Sequence, residues 1–130
     1  MGSTLYELGR KEEALASYRK ALEIDSDYTD AHAGMGSALS DLGRNEEALS
    51  SYRKALEIDP NYKYAHAGMG LALDDLGRKE EALASYRKAL AIDPNYNIAH
   101  AGMGNSLKHL GRFDEAVTSY HWAIQIDHNY

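Results

Sequence analysis

The residues Thr29 to Tyr62, TDAHAGMGSALSDLGRNEEALSSYRKALEIDPNY, recur over the next 34 positions, Lys63 to Tyr96, with only seven changes. A period of that length confines the chain to architectures built from one repeated supersecondary unit. A third, more diverged copy runs from Asn97 to Tyr130, and Met1 to Tyr28 holds a copy without the opening residues of the unit. The expectation is a single repeat domain over 1–130, with a truncated repeat at 1–28 and whole repeats at 29–62, 63–96 and 97–130.

Within one unit, Ala31, Met35, Ala38, Leu39 and Leu42 form the apolar stripe of an amphipathic helix. Gly43 ends it, because glycine takes the left-handed conformation that commonly follows a helix. A second helix is expected to begin with Asn45 as N-cap, Glu46 and Glu47 on its positive end, and Ala48, Leu49, Tyr52, Ala55 and Leu56 as its stripe. Asp59-Pro60 closes it, since the residue before a proline is pushed out of the helical region. The same reading gives the first repeat a short helix, Met1 to Leu8, a break after it, and a second helix from Lys11 to Ile24, followed by a looser corner where Ser26 replaces proline.

Two helices joined so tightly lie antiparallel, yet one such hairpin has too little apolar surface to offset its ordering entropy. Its exposed stripe needs a neighbouring hairpin, so the units should stack with contacts between adjacent copies. The spacing of His32, Met35, Gly36, Leu39, Ala48, Tyr52 and Pro60 resembles the W-x2-L-G-x2-Y, A-x3-F, P pattern of the tetratricopeptide repeat family, and the resemblance extends over the whole chain. It implies an all-α fold, a right-handed superhelix or α-solenoid of stacked helix-turn-helix hairpins. The sequence departs from the pattern at His32, His66 and His100 in place of Trp, at Leu39, Leu73 and Leu107 in place of Tyr, and at Ser26 and His128 in place of Pro.

Composition sets outer bounds. No long uncharged apolar run offers a membrane span, and the 44% hydrophobic, 26% charged content suits a soluble domain. Absence of cysteine fits a reducing compartment, so a cytoplasmic location is expected over a secreted one. Met1-Gly2 aligns with Met35-Gly36, which suggests a piece of a longer array. A formal net charge of −6 disfavours nucleic acid and anionic membrane as partners, since both require a basic surface.

Several local patterns imitate chemistry. Gly34-Met35-Gly36 lacks the third glycine of a dinucleotide fingerprint, having Leu39 there, and no strand precedes it. The pairs Glu12-Glu13, Glu46-Glu47, Glu80-Glu81 and Asp114-Glu115 look like catalytic carboxylates, but adjacent helical residues diverge, and acids in a first turn are what the helix dipole favours. His32, His66 and His100 sit one repeat apart, on separate helices, and are read as packing groups and not as metal ligands. His121 and His128, with Asp127, offer at most adventitious metal binding near one end. No cofactor, metal or enzymatic activity is expected, because no nucleophile stands at a recognisable spacing from a general base.

The resemblance implies that the first helix of each repeat lines a concave, partner-binding surface. It places there Asp30, Ala33, Gly34, Ser37, Ser40 and Asp41 from the second repeat. The third contributes Tyr64, Ala67, Gly68, Leu71, Asp74 and Asp75, and the fourth Ile98, Ala101, Gly102, Asn105, Lys108 and His109. Gly34, Gly68 and Gly102 would let a ligand segment approach the floor, unless they instead relieve crowding between helices. With Glu7, Asp30, Asp41, Asp74 and Asp75 on or near this surface, the partner is expected to be a neutral or basic protein or peptide, with Tyr64, Leu71 and Ile98 as apolar contacts. The carboxylate-binding clamp of co-chaperone relatives is missing from the matching positions. Two alternatives to this scaffold role are open: end-to-end self-association through an uncovered last hairpin, against a monomer, and a substrate-guiding segment of an enzyme such as a glycosyltransferase.

Overall fold

The computed structural model describes the backbone of residues 2–128 and the side chains of residues 8–125. Among the described residues there are seven helices and no strand: α1 (Gly2–Ile24), α2 (Thr29–Asp41), α3 (Asn45–Ile58), α4 (Lys63–Asp75), α5 (Lys79–Ile92), α6 (Asn97–His109) and α7 (Phe113–His128). Contacts group them into two compact units, Met1–Pro60 and Asn61–Tyr130.

In the first unit α2 packs on α3, and α1 packs on α2. The α2–α3 link is a Schellman turn: Gly43 has φ +79°, its N–H donates to Ser40 O at 2.9 Å, and Arg44 N–H donates to Leu39 O at 2.8 Å. Arg44, not Asn45, occupies the N-cap position of α3, with no side-chain cap. Asn45 is drawn elsewhere, its Oδ1 accepting from Ser40 Oγ at 3.1 Å.

The expected break in the first repeat is absent. α1 is one uninterrupted 23-residue helix through Gly9, without the Met1–Leu8 and Lys11–Ile24 division. Yet Leu8 to Leu22, LGRKEEALASYRKAL, is identical to Leu76 to Leu90, where Gly77 has φ +81° and breaks the chain into α4 and α5. What separates the two sites is what lies upstream. Gly77 follows the thirteen residues of α4, which pack along α5, whereas the helix that reaches Gly9 continues straight on as α1. The corner after α1 keeps its hydrogen bonds despite Ser26: Asp27 N–H donates to Asp25 Oδ1 at 3.0 Å, as Asn95 N–H does to Asp93 Oδ1 at 3.1 Å.

In the second unit hairpins α4–α5 and α6–α7 pack together, α6 lying against both α5 and α4. Leu83, Leu107 and Ala116 form a buried cluster flanked by Met103, Leu110 and Tyr120. The junction is keyed by Tyr86, 2% exposed, whose ring lies over two glycines at once. A Cβ on Gly70, in its own hairpin, would fall 2.7 Å from that ring, and one on Gly102, in the next, 2.5 Å from it. Real side chains do not approach so closely, so both positions are held to glycine by the ring and despite the helix penalty of about 1 kcal/mol each.

Candidate functional site

Positions 30, 37 and 41 of α2 lie on one helical face, as do 64, 71 and 75 of α4 and 98, 105 and 109 of α6. In the first unit Asp30, Ser37 and Asp41 are exposed. In the second, Tyr64, Leu71 and Asp75 on α4 and Ile98, Asn105, Lys108 and His109 on α6 are exposed, on helices that pack together. Gly34, Gly68, Ala101 and Gly102 are partly covered. Ala33 and Ala67, at 8% and 5% exposure, are buried, because their small side chains pack into the helix layer and offer no surface.

The glycine floor has another explanation. A Cβ on Gly34 would stand 2.4 Å from the Tyr18 ring, just as Gly102 meets Tyr86. At both positions the glycine admits a tyrosine from the preceding repeat's second helix, which is the crowding alternative and not close ligand approach. A glycine repeated as the sixth residue of each whole repeat, matched to a repeated tyrosine, carried that signal in the sequence.

Asp74 is likewise engaged within the fold. Its Oδ1 takes Lys79 Nζ at 2.9 Å, its backbone O takes the same ammonium at 3.1 Å, and His109 Nδ1 stands 3.8 Å from Oδ1. With its side chain 11% exposed, it is not an open lure for a basic partner. The pair is an exchange for its counterpart one repeat earlier: Ser40 bonded to Asn45 becomes Asp74 bonded to Lys79. Of the seven differences between those repeats, two are therefore one internal substitution.

An open groove of about 360 Å³ in the first unit is lined by Gly34, Ser37 and Asp41 of α2 and by Arg10, Lys11 and Tyr18 of α1. Arg10 and Lys11 were not expected there, since their place depends on α1 running straight. They offset the acidity assigned to this end, and Glu7 lies outside the described side chains.

The decoys resolve as fold parts. Glu47 pairs with Arg44 at 2.6 Å, Glu81 with Arg78 at 2.5 Å, and Glu115 with Arg112, each three residues apart. The Arg112 hydrogen bond holds the Glu115 carboxyl below its ordinary range. His32 and His100 are buried, and Nε2 of each donates to a loop carbonyl, Ser26 O at 2.9 Å and Pro94 O at 2.8 Å, pinning the corner that precedes the helix. His100 also stacks on Trp122, centroids 5.9 Å apart. His66 is buried as well. His121 is exposed, and the side chains of Asp127 and His128 lie outside the described residues.

A second cluster is crowded around Tyr64. Its ring meets those of Tyr62 and Tyr96 edge-on, centroids 5.3 and 5.8 Å away. Lys63 Nζ lies 5.3 Å from the Tyr64 centroid and 4.9 Å from the Tyr96 centroid while donating to Asp93 Oδ2 at 2.6 Å. That hydrogen bond raises the lysine's pKa and, with the Asn95 amide, lowers that of Asp93.

Stacked helical hairpins with glycine turns and a tyrosine key between repeats define a helical repeat protein of the α-solenoid class. Sequence profiles described as TPR repeat match residues 2–43 and 36–77, and one described as Tetratricopeptide repeat matches 64–96. The chain belongs to the tetratricopeptide repeat family, and is a protein-interaction scaffold in kind. No curated protein matches it. Among solved structures it is similar to a crystal structure of MamA, at 25% identity and TM-score 0.83 over 98% of this chain and 75% of that one. A MamA fragment, 41-end, from Desulfovibrio magneticus RS-1 is 21% identical with TM-score 0.82, covering 99% and 73%, and shares the fold.

Proposed function

We propose that the chain binds a peptide segment of a protein partner along the exposed face of its first helices, with the apolar anchors received by α4 and α6. One observation carries this reading: Tyr64, Leu71 and Ile98 are 52%, 51% and 59% exposed on two helices that pack together. Large apolar side chains grouped in this way cost free energy in water that a partner's apolar side chains recover. Exposed Asp75 and the net charge of −6 favour a neutral or basic segment and disfavour nucleic acid and anionic membranes. The role is binding, not catalysis.

Peptides selected from a displayed library against the whole chain provide the test. Leu71→Ser installs the residue the preceding repeat carries at Ser37 and leaves the fold intact. It is expected to weaken the selected peptides about tenfold, the scale of one buried apolar anchor. Unchanged affinity would overturn the assignment.

A second reading, end-to-end self-association, is supported by α7. Leu15 and Leu83 are fully buried, yet their counterpart Val117 is 66% exposed, beside Phe113 at 62% and Ile124 at 54%. This face would take the first helix of another hairpin.

A further inference from the structure

We propose that Tyr64, Tyr96 and Asp93 form a binding site for an alkylammonium group, a partner's lysine side chain, and that the chain's own Lys63 occupies it as an intramolecular stand-in. Two aromatic rings at 88° to one another and a carboxylate surround one ammonium. Aromatic faces attract cations, and a carboxylate adds a charge-assisted hydrogen bond, so the three groups select an amine that retains an N–H.

The site is prearranged around its carboxylate. Asp93 Oδ1 accepts the Asn95 amide of the turn at 3.1 Å, which aims Oδ2 at the ammonium. Tyr62 also packs edge-on against the Tyr64 ring and helps hold it in place. Tyr64 is 52% exposed, so a group from outside can reach the rings.

The repeats isolate the feature. Lys63 and Tyr64 are two of the seven changes from the preceding repeat, which has Thr29 and Asp30, while the last repeat has Asn97 and Ile98. Only this repeat joins an amine to a tyrosine at these two positions. The pair arose on a turn that the other repeats make without it, so the turn itself does not require the lysine. Competition is therefore the expected behaviour: a partner's lysine, delivered by other contacts, exchanges with Lys63, whose flexible stem can withdraw into water. The site shares Tyr64 with the proposed peptide face but not the Leu71 anchor, and because its probe is a free amine its failure is distinguishable from failure of the peptide reading.

The test uses the whole chain and n-butylammonium chloride as probe, with sodium chloride at equal concentration as reference, and follows the Tyr64 and Tyr96 ring resonances by NMR. Lys63→Thr vacates the site with the residue native to Thr29, and Lys63→Asn does so with that native to Asn97. In both variants the rings are expected to respond at probe concentrations at least tenfold lower than in the unaltered chain. Adding Tyr64→Ile, the residue native to Ile98, to Lys63→Asn removes one aromatic wall without adding charge and should abolish the Tyr96 response at those concentrations. The proposal is overturned by no ring response in either lysine variant, by an equal response in the unaltered chain, or by a Tyr96 response that survives Tyr64→Ile at the same concentrations.

Discussion

Tyr86 shows how much one side chain can dictate to its surroundings. Its ring is buried and lies against both Gly70 and Gly102, so it has little room to step aside for a methyl group. Gly102→Ala, which would stabilise an isolated helix, should here cost about 1–3 kcal/mol through overpacking. Thermal or denaturant unfolding measures the sign, and a gain in stability would show that the ring is not confined. The same burial, aided by Asp74 and Asp75, raises the Tyr86 pKa well above the ordinary 10.0. A raised pKa contributes stability that is complete below the unfolded value and lost as pH climbs through the folded one. Stability should therefore fall above about pH 10, and Tyr86→Phe should flatten that fall without changing the neutral-pH slope. An unaltered alkaline profile in the phenylalanine variant would refute this.

Among the elements, the hairpins α2–α3 and α4–α5 were legible because turn chemistry and apolar periodicity agree there: Gly43 and Gly77 stand where the stripe stops, and both take positive φ. α1 was not legible, and the cause is physical. The fifteen residues from Leu8 form a continuous helix, while the same fifteen from Leu76 begin with a turn, so local sequence leaves the choice to tertiary packing. A paired substitution exposes this. Gly9→Ala should stabilise by about 1 kcal/mol, as for any helix interior, and its added Cβ meets nothing within 4 Å. Gly77→Ala, in an identical local sequence, should destabilise by about 1–2 kcal/mol because its backbone is left-handed. Differential unfolding of the two variants checks the contrast, and shifts of equal sign would mean that Gly9 and Gly77 share one conformation. The surface was half legible: exposure of Tyr64, Leu71 and Ile98 was implied by the resemblance to the repeat family, but the tie of Asp74 to Lys79 depends on a contact between helices that no pattern along one helix displays.

On the scale of the whole molecule, the repeats distribute stability and leave one face of α7 without the cover its counterparts have. If that face joins molecules, the mass seen by light scattering should rise with protein concentration. Val117→Lys should hold it at that of one chain, since burying an unpaired charge in such a contact costs several kcal/mol. A mass that is constant for both proteins would eliminate the self-association reading.

The exchange of Ser40 and Asn45 for Asp74 and Lys79 also bears on anyone who would shuffle these hairpins into recombinant arrays. The two residues sit on successive helices, so a crossover placed in the glycine turn between them would part the carboxylate from its ammonium. The graft would then carry a lone acid close to a buried phenol. Joints cut at the proline corners keep each couple together, and modules exchanged there should be interchangeable in a way that half-modules are not.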